Sequence, residues 1–319
     1  MKPIQRMNDA LTFAEQALIA SLPAPPELGG VQASNIWIVE WLPDGDRQTG
    51  KELHEWMKDR RAGWSVYLCC RKKSEMIEAI HNATRCAQRF NRRPVLHIES
   101  HGDESGLEGP DGSGGNEMLT WDELTEPLQL LNLATHCNLI VFIAACVGFA
   151  GIQALQRGPR APAVALVGPD ANLSPRNLLQ GTKEFYRRLL GTDPSLTESA
   201  QSASREAGEA VFEPEPFALQ FYETLVESLT KSMRPIERRE RVARIRQKMI
   251  LDGQFSMAEI ESRLACLPLL RPWWEMQNIW DEMFMIDLYP ENRTRFGLDM
   301  KAIIERITAS DSLTGGRGC

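Results

Sequence analysis

Over the first two thirds of the chain, short apolar runs alternate with amphipathic stretches. Residues 35–42 (NIWIVEWL), 64–70 (WSVYLCC), 94–100 (PVLHIES), 138–145 (NLIVFIAA) and 163–167 (AVALV) are rich in β-branched or aromatic residues and have strand length. The segments between them carry helical periodicity: 49–61, 73–90, 120–133, 149–156, 175–190 and 195–210. Thr49 with Glu52, and Thr120 with Glu123, match the spacing of a helix-opening capping box. Residues 102–116 are rich in Gly and acid, which predicts a loop or hairpin. Alternating β and α of this kind predicts an α/β fold, a mainly parallel sheet with helices on both faces.

The flanks differ from this middle. Met7, Leu11, Ala14, Leu18 and Leu22 recur near helical spacing, and 23–30 (PAPPELGG) reads as a linker. The run Glu213-Pro214-Glu215-Pro216 reads as a boundary. Beyond it the pattern predicts helices alone, over 217–233, 235–252, 256–267, 274–288 and 299–308. The expected organisation is an N-terminal helix and linker (1–30), an α/β domain (31–212) and an α-helical domain (213–319).

Composition narrows the class. A chain of 319 residues with 43% hydrophobic content can bury a substantial core. The net charge of −7 disfavours a nucleic-acid binder. The seven cysteines form no CxxC pair, and the first residues lack the apolar core of a signal peptide, so a reducing cytoplasm is the expected compartment. The uncharged stretch 139–156 falls short of the about 20 residues a membrane span needs. It is also broken by Gly148, Gly151 and Gln153. No metal-ligand cluster, phosphate-binding glycine loop or dinucleotide fingerprint occurs, so no cofactor is expected.

Two strand ends carry the candidate chemistry. The run 95–102 ends in His101-Gly102, and the run 139–148 ends in Cys146-Val147-Gly148. Ligands of open α/β sheets bind outside the carboxyl ends of the strands. A His and a Cys delivered there would form a base and a nucleophile. The 45 residues separating them, with one helix between, suit two parallel strands joined by a crossover. Glycines beside both leave room for tight turns and for close approach of substrate to the backbone.

The surrounding residues sharpen this. Ala144-Ala145-Cys146-Val147-Gly148 resembles the nucleophile segment of caspases, which also place a His about 50 residues upstream. Downstream lie Ala165-Leu166-Val167-Gly168-Pro169-Asp170, then Phe185-Tyr186-Arg187-Arg188-Leu189-Leu190, then Leu196-Thr197-Glu198-Ser199-Ala200-Gln201. In this order, over about residues 34–210, they resemble the caspase-like cysteine peptidases. The resemblance is greatest to the CHAT-domain branch that also includes separase-type proteases. It implies a cysteine endopeptidase with Cys146 as nucleophile and His101 as base, the amides of Gly102 and Cys146 forming the oxyanion hole. Where that family often carries a Trp-containing loop, this chain has Pro169-Asp170-Ala171-Asn172. Asp170 is then the candidate acid of the specificity pocket, favouring a basic P1 residue. The resemblance further implies a protein substrate, latency until a protein partner engages, and service in bacterial defence or cell death. Segment 102–116 or the helical C-terminal domain would occlude the latent site. The alternative is a caspase-like scaffold that keeps the fold without catalysis and serves as an interaction module.

Other polar positions have plainer readings. His97, in mid-strand, reads as a core histidine. Glu99 reads as capping its strand rather than orienting His101. The basic run Arg234–Lys248 carries an apolar stripe (Ile236, Val242, Ile245, Met249) and reads as a solvated helix face. The cluster of Trp273, Trp274, Trp280, Met276, Met283, Phe284 and Met285 reads as core.

Overall fold

The computed structural model describes residues 11–23, 33–151, 158–191, 195–208, 212–265 and 270–314. Its strands are β1 (Asn35–Trp41), β2 (Ser65–Cys69), β3 (Pro94–Asp103), β4 (Gly106–Pro110), β5 (Asn116–Thr120), β6 (Ile140–Ala144), β7 (Ala165–Pro169) and β8 (Phe212–Pro216). The α-helices are α1 (Phe13–Ala20), α2 (Thr49–Lys58), α3 (Lys73–Phe90), α4 (Trp121–Ala134), α5 (Pro175–Leu189), α6 (Leu196–Ala207), α7 (Phe217–Ser232), α8 (Pro235–Asp252), α9 (Met257–Ala265), α10 (Trp273–Met283), α11 (Arg293–Phe296) and α12 (Met300–Thr314).

The main sheet runs β2-β1-β3-β6-β7-β8. Its first five strands are parallel and only β8 is antiparallel. Central strands covered on both faces read as continuous apolar runs, which is why 35–42 and 139–145 show little alternation. On one face Ile36, Ile38, Val95, Ile140, Phe142 and Val167 form a core with residues of α2, α5 and α6. The other face is covered by α3, which lies against β1 and β3, with α4 beside it. The predicted α/β architecture is thus the observed one.

Beyond His101 the end of β3 turns back on β4, which pairs with β5. The Gly-rich segment is therefore a three-stranded meander at the carboxyl edge of the sheet. Gly109 packs so tightly that a Cβ there would lie 2.4 Å from the Trp41 ring, and Trp41 Nε1 donates to Pro110 O at 3.0 Å.

Several local expectations change. Residues 213–216, read as a boundary, lie within β8, which pairs with β7 as an edge strand. Proline lacks an N–H but is tolerated on an edge, where one side of the strand needs no ladder partner. Helix α2 opens without a side-chain cap, and Thr49 is its first residue rather than its cap. Glu52 pairs with Arg47 at 2.7 Å instead of closing a capping box. At Thr120 the box does form, with Glu123. Of the short helix expected over 149–156, Gly148–Ala150 form a 3-10 turn, Gly151 is helical, and 152–157 lie outside the described residues.

The chain falls into two compact units. One holds Glu27–Gln220 with Asp281–Phe296, the other Met1–Pro26, Phe221–Trp280 and Gly297–Cys319. In the sheet-bearing unit the late segment is tied in by polar contacts: Arg160 grips Asp287 through two bonds of 2.9 and 2.8 Å, and Arg295 donates to Cys137 O at 3.0 Å. The helix expected over 274–288 ends at Met283, and Met285 takes a left-handed φ of 56°.

The other unit is helical. A Thr12–Glu15 capping box opens α1, and Arg234 forms a two-point bond to Glu15. That guanidinium holds the Glu15 carboxyl down at about 2 against the cost of burial. Met276 and Trp280 are buried here, whereas Trp273 and Trp274 remain largely exposed. Helix α8 buries no residue, consistent with a solvated basic face. Among the described residues no helix is long and apolar enough to cross a membrane.

Candidate active site

The position of the Cys–His pair follows from strand register. In the β3–β6 ladder Glu99 pairs with Ala144, an offset of 45 residues, and His101 and Cys146 are separated by the same 45. The ladder ends at that pair, and His101 and Cys146 each lie two residues further along, at the carboxyl edge of adjacent parallel strands; among the described residues no hydrogen bond joins their side chains. Backbone proximity agrees: a Cβ on Gly102 would lie 3.1 Å from Ala145 Cβ and 3.4 Å from Cys146 O. A larger residue at 102 would push the two strand ends apart.

Cys146 itself sits in a tight turn. Gly148 N donates to Ala145 O at 3.1 Å, closing the turn around the thiol. Val147 takes φ 53°, a left-handed conformation that costs a β-branched residue about 1–3 kcal/mol. A Cβ on Gly148 would lie 2.7 Å from Ile143 O, so no side chain fits there. This strained turn leaves the Cys146 thiol half-buried.

His101 is half-exposed and has a partner that the sequence reading missed. Its Nε2 lies 2.7 Å from Asp46 Oδ2. A carboxylate only accepts, so Nε2 is the donor in this contact. Asp46 belongs to the turn after β1, the strand beside β3. One signal was available: an Asp following an adjacent strand reaches the same sheet edge. Nothing in the pattern distinguished it from Asp44.

Glu99 neither caps its strand nor touches His101. It is buried, accepts from Thr49 Oγ1 at 2.7 Å and meets His97 Nε2 at 3.0 Å. His97 Nδ1 in turn lies 3.1 Å from the Tyr186 hydroxyl, and its ring is tilted against that of Phe142. In the neighbouring strand Glu40 is the register partner of Glu99 and is equally buried. Its carboxylate accepts from Gly50 N at 2.6 Å and from Tyr67 Oη at 2.5 Å. Burial raises the Glu40 carboxyl, opposed by these hydrogen bonds and reinforced by the negative charge of Glu99. Glu40 thus takes the place of the missing cap of α2, and Glu99 holds the side chain of its first residue, Thr49; together they fix the helix whose approach loop carries Asp46.

Asp170 lies just past the end of β7, exposed, at the same edge. Burial pushes the thiols of Cys70 and Cys137 up to about 12, and Cys69 is also raised, mainly by burial. Among the described residues no group of His, Cys, Asp and Glu is arranged to hold a metal ion.

No family model matches the chain, and no curated protein matches it. Among solved structures it is similar to a chain of the complex of Porphyromonas gingivalis RgpB pro- and mature domains. The identity is 15% and the TM-score 0.37, over 59% of this chain and 48% of the other. The chain thus spans about half the length of that structure.

Proposed function

We propose that this chain is a caspase-like cysteine endopeptidase whose site is Cys146, His101 and Asp46. The supporting observation is the 2.7 Å contact between His101 and Asp46 at the strand level that also carries Cys146. In this reading Asp46 fixes the imidazole with its proton on Nε2, and Nδ1 takes the Cys146 proton. The thiolate attacks the scissile carbonyl, and the amides of Gly102 and Cys146 donate to the resulting oxyanion. The imidazolium then protonates the leaving amine, and water releases the acyl group from sulfur, restoring the thiol. Asp170 recognises a basic P1 side chain. The substrate is a protein, and a second protein switches the enzyme on, in a role such as bacterial defence or cell death.

The test separates this enzyme from a scaffold that keeps only the fold. Iodoacetamide labelling of the full chain, read by peptide mass spectrometry, should modify Cys146 well ahead of Cys137 and Cys70 at neutral pH. His101→Ala should abolish that preference. Hydrolysis of peptides with Arg or Lys at P1 should disappear in both Cys146→Ala and His101→Ala. Equal labelling of all three thiols, with no cleavage of any peptide, supports the scaffold instead.

A further inference from the structure

The opposite edge of the sheet carries a second built feature. Trp64 precedes β2 and so lies at the amino end of the strands, away from His101 and Cys146. There the last turns of α2 and α5 enclose a cavity of about 210 Å³, lined among others by Trp56, Trp64, Tyr186, Arg60, Arg61 and Arg187. Tyr186 is fully buried and forms part of the floor, while the three arginines are exposed.

The arginines are arranged in an ordered way. The Arg60 guanidinium lies 4.1 Å from the Trp56 ring centroid, and that of Arg61 lies 4.0 Å from Trp64. A guanidinium stacked by its face on an indole keeps its N–H edge open, and that edge matches two oxygens of a phosphate. Arg187 already binds Glu184 through two bonds of 2.5 and 2.6 Å. Among the described residues no carboxylate pairs with Arg60 or Arg61. One Arg60 nitrogen donates to Trp56 O at 3.2 Å. In a chain of net charge −7 this is a local concentration of unneutralised cation.

We propose that this cavity binds a free mononucleotide. The nucleobase stacks on the open side of a guanidinium that an indole backs, and the phosphate spans the N–H edges of Arg60 and Arg61. Bases and indoles stack through their π-faces, and arginine adds a cationic contact to the same ring. Apolar walls alone would suit any flat molecule, and arginines alone any anion. The combination selects a ligand that is both, and the cavity has room for one ring system. This site does not depend on the chain being a peptidase.

Calorimetric titration of the full chain with ADP, adenosine and inorganic phosphate tests it. ADP should bind, with adenosine and phosphate each weaker by about tenfold or more. Arg60→Gln with Arg61→Gln should weaken ADP by about tenfold or more while leaving the circular dichroism melt unchanged, since both side chains are exposed. Trp64→Leu should weaken adenosine and ADP alike. ADP binding that is absent at millimolar concentration, or unchanged in the double variant, overturns the assignment. Phosphate binding as tightly as ADP would reduce the site to an anion patch. A single-stranded oligonucleotide binding more tightly than ADP would overturn the free-nucleotide assignment.

Discussion

Replacing Asp46 with Asn tests the proposed Cys146–His101–Asp46 triad most directly. The substitution keeps the size of the side chain and removes its charge. At 2.7 Å from His101 Nε2, the carboxylate makes a charge-assisted bond, a class that contributes about 1.5–3 kcal/mol. Because the His101 and Asp46 side chains are 50% and 42% exposed, water competes and about 1 kcal/mol remains, the upper end for an exposed pair. At about 1.4 kcal/mol per factor of ten, the expected loss in Cys146 reactivity is about fivefold. An Asn that turns its NH2 toward the ring would force the proton to Nδ1 and deepen the loss. Global stability should change by less than about 1 kcal/mol, since the pair is on the surface. The assay is the second-order rate of Cys146 alkylation at pH 7 in wild type, Asp46→Asn and His101→Ala, which needs no activator. A rate for Asp46→Asn within twofold of wild type, with His101→Ala slow, would refute the orienting role of Asp46 and leave a dyad.

Other consequences follow from the same geometry. Glu99→Ala strands the Thr49 hydroxyl and His97 Nε2 in the core and should cost about 2–4 kcal/mol in urea unfolding, with Glu99→Gln costing less; equal effects would disprove the hydrogen-bonding account. Glu40 has a folded-state pKa raised above its ordinary 4.5, so its contribution favours the fold in acid and is lost as pH rises through the folded value. Thermal melts of Glu40→Gln from pH 4.5 upward should therefore fall less steeply than wild type, and parallel curves would contradict this. Gly148→Ala should cost about 1–3 kcal/mol because its methyl meets Ile143 O. Val147→Gly should stay within about 1 kcal/mol, since relief of the left-handed strain offsets the added chain entropy. A large loss at Val147 in urea titrations would show that its side chain, not its backbone, matters.

The sheet was legible because its central strands are continuous apolar runs between turn residues, and nothing in the chain competes with that reading. The level of the Cys–His pair was legible for the same reason, since parallel pairing converts sequence separation into spatial register. Three things were not. Strand β8 hides in a Pro-Glu repeat that signals a break wherever edge pairing is unknown. Asp46 is one of two acids in a short turn, and only the folded loop selects it. The Glu40–Glu99 pair required knowing that β1 and β3 are neighbours in register. Thr49 misled in a related way: a threonine ahead of a glutamate looks like a cap until a buried acid takes its hydroxyl.

The shared 45-residue offset has an evolutionary consequence. Because the pair is set by ladder register, the intervening chain can lengthen or shorten freely where it leaves the sheet, as in the hairpin turn 111–115 or after α4. One residue inserted within β3 or β6 is a different matter. It would turn one partner to the opposite face, since side chains alternate along a strand. Diversification of such a site is expected to concentrate in the meander and the strand-end loops, while the lengths of two strand segments stay fixed.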